Sequence, residues 1–164
     1  MLKKVYVETT IPSFYHNQRT QPEMVARMNW TRDWWDHRRS SYDVVTSVAV
    51  FEELRERTHP QQAEKLALLH SIPCLQMTLE VLEVAEVYVA RKVMPADLGG
   101  DALHLAFASV FSCDVLLTWN CVHLANANKF DHIRRVNTLL GLRVPLLLTP
   151  LELMQTLDHD DTGS

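Results

Sequence analysis

Apolar positions along the chain change period several times, and each change predicts an element. Lys4–Val7 is short, β-branched and aromatic, and predicts a strand. Residues 22–39 carry Met24, Val25, Met28, Trp34 and Trp35 at roughly helical spacing. Tyr42–Thr46 predicts a second strand. Ser47 then stands as the N-cap of a helix reaching about Arg57, with Pro60 just beyond. Gln61–His70 reads as another helix and Pro73–Met77 as a third strand. Thr78 caps an amphipathic helix to about Val93, with Leu79, Leu82, Val89 and Val93 among its apolar positions. Gly99 and Gly100 break the chain before a strongly apolar helix over Asp101–Phe111. Val115–Thr118 and Val144–Leu148 are the remaining strands, with helix between them. Pro145 pushes the last strand to an edge, because proline has no N–H to give a ladder.

Strands separated by helical stretches need crossover connections. The pattern therefore predicts an α/β fold, a mostly parallel sheet flanked by helices on both faces. The apolar runs at 115–117 and 144–148 fit strands buried on both sides. A chain of 164 residues fits one domain, here over 1–157, and residues 158–164 read as an acidic, frayed tail. The apolar share of 47% and charged share of 22% are those of a soluble globular protein. No apolar run approaches the ~18–20 residues that span a bilayer. The N-terminus reads as a strand rather than a signal peptide, so the expected location is cytoplasmic with no membrane contact. Cys74, Cys113 and Cys121 form no C-x-x-C pair and are expected as reduced, mostly buried thiols. A net charge of −4 argues against coating nucleic acid by bulk charge, but not against gripping a short stretch of it.

Ligands of open α/β sheets bind outside the carboxyl ends of the strands. Glu8 follows the first strand directly, with Thr9 and Thr10 next. Glu52 and Glu53 lie in the second turn of the helix after strand two. Asp101 starts a helix after two glycines, and Thr118-Trp119-Asn120 closes the fourth strand. Four distant segments would thus bring carboxylates and an amide to one edge. Clustered carboxylates repel one another and are costly to desolvate, and a hard cation such as Mg²⁺ or Mn²⁺ resolves this. Such an ion suits phosphodiester hydrolysis.

Four motifs resemble the PIN-domain family, and most of all its VapC-like, toxin-related branch. They are Val-Tyr-Val-Glu-Thr-Thr at 5–10, Thr-Ser-Val-Ala-Val-Phe-Glu-Glu-Leu at 46–54, Gly-Asp-Ala-Leu-His-Leu-Ala-Phe-Ala at 100–108 and Leu-Leu-Thr-Trp-Asn-Cys-Val-His-Leu-Ala-Asn at 116–126. The resemblance runs from residue 4 to about 155 and ends in a closing strand and helix. It implies about five parallel strands and Mg²⁺- or Mn²⁺-dependent cleavage of single-stranded RNA. It also implies an antitoxin partner, if the chain is a toxin, and a homodimer. The family's first three acids fall on Glu8, where most members carry Asp, on Glu53 and on Asp101, as metal ligands. The fourth catalytic position falls on Asn120, which would orient a water. His123 stands where many members have another acid.

Other polar residues near these motifs have two readings each. Ser47 is an N-cap or a small polar residue of the site. Thr9 is a turn residue or a donor to a carboxylate or phosphate, and Thr118 supports the site or only its strand. His104, on the face of Asp101, is a packed helix histidine or a site residue. Asp97 is a substitute for Asp101. Trp30, Trp34 and Trp35 are read first as core, with base stacking as the alternative. A PIN-like module that binds nucleic acid or protein without cleaving is the second functional reading, carried by Glu8 and Asn120. A phosphatase or similar hydrolase is the third.

Overall fold

The computed structural model describes residues 1–56, 61–95 and 100–160, with side chains through 156. Strand β1 (Lys4–Val7) sits at the centre, with Val5, Tyr6 and Val7 fully buried. On one side lie β2 (Asp43–Ser47) and then β3 (Cys74–Leu75). On the other lie β4 (Val115–Leu117) and then β5 (Leu146–Leu148). All pairings are parallel, with Val5 opposite both Val44 and Val115. The order β3-β2-β1-β4-β5 is the expected five-stranded parallel α/β sheet. β1, β2 and β4 therefore finish side by side, and the residues after them share one edge.

Helices supply the crossovers and flank the sheet. They are α1 (Thr10–Tyr15), α2 (Pro22–Asp33), α3 (Val48–Glu56), α4 (Gln62–Leu69), α5 (Leu79–Ala90), α6 (Asp101–Val110), α7 (Ala127–Leu140) and α8 (Pro150–Asp160). Among the described residues, no helix is long and apolar enough to cross a membrane. α6 is the most buried, with Leu105, Ala106, Phe107 and Ala108 at zero exposure, and it packs against α5.

Several sequence expectations are corrected. Leu79 and Leu82 do not face the core but are 72% and 43% exposed. The buried stripe of α5 is Val81, Val84, Ala85 and Tyr88, the i, i+3, i+4, i+7 pattern one phase away. Val93 is buried but lies beyond the helix end at Ala90. The stretch 22–39 is not one α-helix: it passes into a π-turn at Trp34–Arg38, where adjacent Trp34 and Trp35 both turn inward. Both tryptophans are thus core, while Trp30 is half-buried against Trp119. β3 is shorter than 73–77 because it pairs only with Thr46 and Ser47, after which β2 ends. β5 is an edge strand, as Pro145 predicts, but it is not buried on both faces: Leu146 is 48% exposed. Helix α1, absent from the pattern, follows β1 at once. Only Cys113 is a buried thiol; Cys74 is half-buried and Cys121 exposed. α8 runs to Asp160, into the segment expected as a tail, and 161–164 lie outside the described residues. So do Arg57, Pro60, Asp97 and Gly99.

Candidate functional site

The site starts where β1 stops. Glu8 is 3% exposed, and its Oε1 accepts from the Thr10 backbone N–H at 2.8 Å and from the Thr10 hydroxyl. The Thr10 oxygen accepts in turn from the Trp119 backbone N–H at 2.8 Å. One hydroxyl thereby ties the end of β1 to the segment after β4. Burial lifts the Glu8 carboxyl to a pKa of about 7, although His104, Thr10 and Thr118 all pull it down.

Helix α3 begins at the end of β2. Ser47 Oγ accepts from the Ala49 backbone N–H at 3.2 Å, the expected cap, and it also lies 2.7 Å from Tyr6 Oη. A chain of hydrogen bonds continues from there. Tyr6 Oη lies 2.8 Å from His104 Nδ1, and His104 Nε2 lies 2.7 Å from Glu53 Oε1. The Thr9 hydroxyl donates to Glu53 Oε2 at 2.6 Å. An ionised Glu53 only accepts, so His104 Nε2 carries a proton. Burial of His104 favours the neutral ring, but the hydrogen bond and charge of Glu53, with the charges of Glu8 and Asp101, outweigh it and raise its pKa. Glu53 thus bonds the buried imidazole directly, and Glu8 and Asp101 act on it through their charge.

Asp101 opens α6, where its charge suits the positive helix end. Asn120 Nδ2 reaches both its carboxylate oxygens, at 3.1 and 3.2 Å. The amide is itself fixed: Asn120 Oδ1 accepts from the His123 N–H at 3.0 Å, and Asn120 N–H donates to Thr118 Oγ1 at 2.9 Å. His123 joins through its backbone only, since its Nδ1 lies 3.4 Å from Lys129 Nζ. The structure therefore brings Glu8, Thr9, Ser47, Glu53, Asp101, His104, Thr118 and Asn120 into one connected group and leaves the His123 ring outside it. Glu52 is exposed and apart.

Tyr6, Thr10 and Gly100 belong to the same group and carry no role in the sequence pattern. Tyr6 is two residues before Glu8, and alternation along a strand is the signal that could have paired them. Gly100 has φ +71°, and a Cβ there would collide with Glu53 Oε1. Gly100→Ala is expected to cost about 1–2 kcal/mol through the left-handed backbone. It should also push the Glu53 carboxylate off His104. Thermal melts check the first effect, and the His104 ring signals in an NMR spectrum check the second.

Chemically, the group offers oxygen donors from three elements, a donor set for a hard cation. Each carboxylate is held by a neutral or cationic donor. Among the described residues, no three His, Cys, Asp or Glu side chains are grouped as ligands of a single ion.

No family model matches the sequence, and no curated protein matches it. Solved structures do match. The fold is similar to the crystal structure of Mycobacterium tuberculosis VapC20, described as a sarcin-ricin loop cleaving toxin. That match has 18% identity, a TM-score of 0.52, and covers 68% of this chain and 86% of the other. The fold is thus PIN/VapC-like.

Proposed function

We propose that the chain is a metal-dependent endoribonuclease of the PIN type that cleaves single-stranded RNA, as the toxin of a toxin–antitoxin pair. One observation carries the reading. Glu8 follows β1, Glu53 lies on α3 and Asp101 opens α6, so acids from three separate elements come to the carboxyl end of the sheet, where Glu53 holds the buried His104 at 2.7 Å. Glu8 is buried and Glu53 and Asp101 are half-buried, and acids brought to one place in this way are costly unless a cation compensates them. The donors are of the oxygen type that Mg²⁺ or Mn²⁺ takes, and Glu8, Glu53 and Asp101 would hold the ion once drawn together, since as they stand no three such side chains among the described residues are grouped on one ion. When bound, such an ion supplies an ionised water and stabilises charge on the phosphate oxygens.

The protein's own groups do the positioning. Asn120 fixes the Asp101 carboxylate and can hydrogen-bond a water beside it. His104 and Thr9 hold the two oxygens of Glu53, and Tyr6, itself bonded to Ser47, holds His104. Thr10 and Thr118 steady the end of Glu8. His123 supports Asn120 through its N–H. An antitoxin covering this edge and a homodimer belong to the same proposal.

The test is cleavage of a single-stranded oligoribonucleotide. Cleavage should appear with millimolar Mn²⁺ and vanish in EDTA. Cleavage unaffected by EDTA would sink the reading. A second reading, a PIN-like module that binds without cleaving, draws on the proton affinity of Glu8 and the neutral Asn120. RNA binding without cleavage at any Mn²⁺ concentration would favour it.

A further inference from the structure

Beside the acids, Arg27, Arg19 and Lys65 lie around the far half of α1, whose last residue Tyr15 is also met by Arg32. The Arg27 guanidinium lies over the Trp119 ring at 5.2 Å and over the Phe14 ring at 5.6 Å. Its Nη1 makes a long contact of 3.5 Å with the Trp119 carbonyl. Arg19, which is exposed, lies over Phe14 at 5.6 Å. Lys65 is on α4, which packs against α1. Lys65 as a whole is 9% exposed, and it makes no ion pair among the described residues. Burial first, and then the charge of Arg19, hold its pKa below the usual lysine range.

The rings are themselves covered. Phe14 is 8% and Trp119 6% exposed, so they are not free platforms for bases. They instead carry the guanidinium groups over their faces at 5.2–5.6 Å, and an arginine held in this way loses less entropy when it grips a phosphate. The cluster is also joined to the acids. The Trp119 N–H donates to Thr10, whose hydroxyl donates to Glu8. Among the described residues, the one acid paired with these cations is Glu23, 2.7 Å from Arg27 and 67% exposed. An exposed i, i+4 pair of this kind is weak, so a phosphate can displace it.

We propose that Arg27, Arg19 and Lys65 form a cationic track that holds the sugar–phosphate backbone of the single-stranded RNA as it leaves the carboxylates, an inference that rests on the ribonuclease reading. The track reads charge rather than sequence, because its rings are buried under the arginines. It places the grip on the α1 side of the site.

The probe is a fluorescein-labelled oligouridylate 12-mer, bound in EDTA and followed by anisotropy between 50 and 200 mM salt. Each cation removed should flatten the log–log salt slope by about 0.7, the single-strand value per phosphate. Arg19→Gln with Arg27→Gln should weaken binding by about tenfold, the scale of lost charge-assisted hydrogen bonds. Glu23→Gln frees Arg27 and should tighten binding, which tests the track even if the arginine variants fold poorly. Unchanged affinity and slope in the double variant, no tightening in Glu23→Gln, or no binding by the unaltered protein would each overturn the track. Mn²⁺-dependent cleavage alongside unchanged binding in the double variant would overturn the track and leave the ribonuclease reading standing. Weakened binding with no cleavage by the unaltered protein would do the reverse.

Discussion

Asp101→Asn is expected to lower Mn²⁺-dependent RNA cleavage by about a thousandfold or more, a loss on the order of 4 kcal/mol of transition-state stabilisation. The substitution keeps the shape of the side chain and removes only its charge. It leaves one oxygen at position 101 to accept from Asn120 Nδ2, which now reaches both carboxylate oxygens. The fold should lose little. The main expected cost is the favourable charge at the start of α6, about 0.5 kcal/mol. Glu52→Gln, on the exposed neighbour of Glu53, is the matched control and should cleave as the unaltered protein does. Undiminished cleavage by Asp101→Asn would remove Asp101 from the site. A melting temperature that collapses with the activity would make the effect structural.

The metal-free protein is expected to become less stable as pH rises from about 4.5 to about 7, by about 3 kcal/mol from Glu8 alone. The sign follows from the direction of the shift. Burial raises the Glu8 carboxyl from 4.5 to about 7 in the folded chain. The fold therefore binds this proton more tightly than the unfolded chain does. That stabilisation is complete below the unfolded value and is lost as pH passes the folded one. His104, whose pKa is also raised from 6.5, adds a loss that begins at the top of this window and continues above it. Other carboxylates titrate as well, so the readout is a difference. Urea unfolding in EDTA at pH 5, 6, 7 and 8 should show a steeper decline for the unaltered protein than for Glu8→Gln. Equal declines would show that Glu8 is not the buried acid described. Because cations take the charged carboxylate, Mn²⁺ should bind more tightly as pH rises through the same window.

How much of this the sequence discloses depends on the kind of interaction. The parallel sheet follows from apolar runs at 5–7, 44–45 and 115–117, and its carboxyl edge is where Glu8, Glu53, Asp101 and Asn120 meet. Strand ends and helix starts have local signals, so their polar residues can be placed. The partners of those residues cannot, because they are set by three-dimensional approach. Tyr6 looks like a core aromatic until its hydroxyl is seen between Ser47 and His104. Thr10 looks like a turn residue until it is seen between Glu8 and Trp119. Gly100 reads as a chain break, yet it is the clearance for Glu53. Helical phase fails for a related reason. Leu79 and Leu82 are as apolar as the true inward residues of α5, so apolarity alone does not say which stripe meets α6.

The margins of the sheet carry a consequence for association. β3 contributes two residues at one margin. β5 contributes three at the other, and it follows Pro145, which has no amide proton. An incoming strand would find too few rungs on either side to extend the sheet by backbone pairing. Association through this domain is therefore left to its helix surfaces. Side-chain shape and charge would then decide which partner is accepted, and the domain is guarded against edge-to-edge aggregation by the brevity of its outer strands.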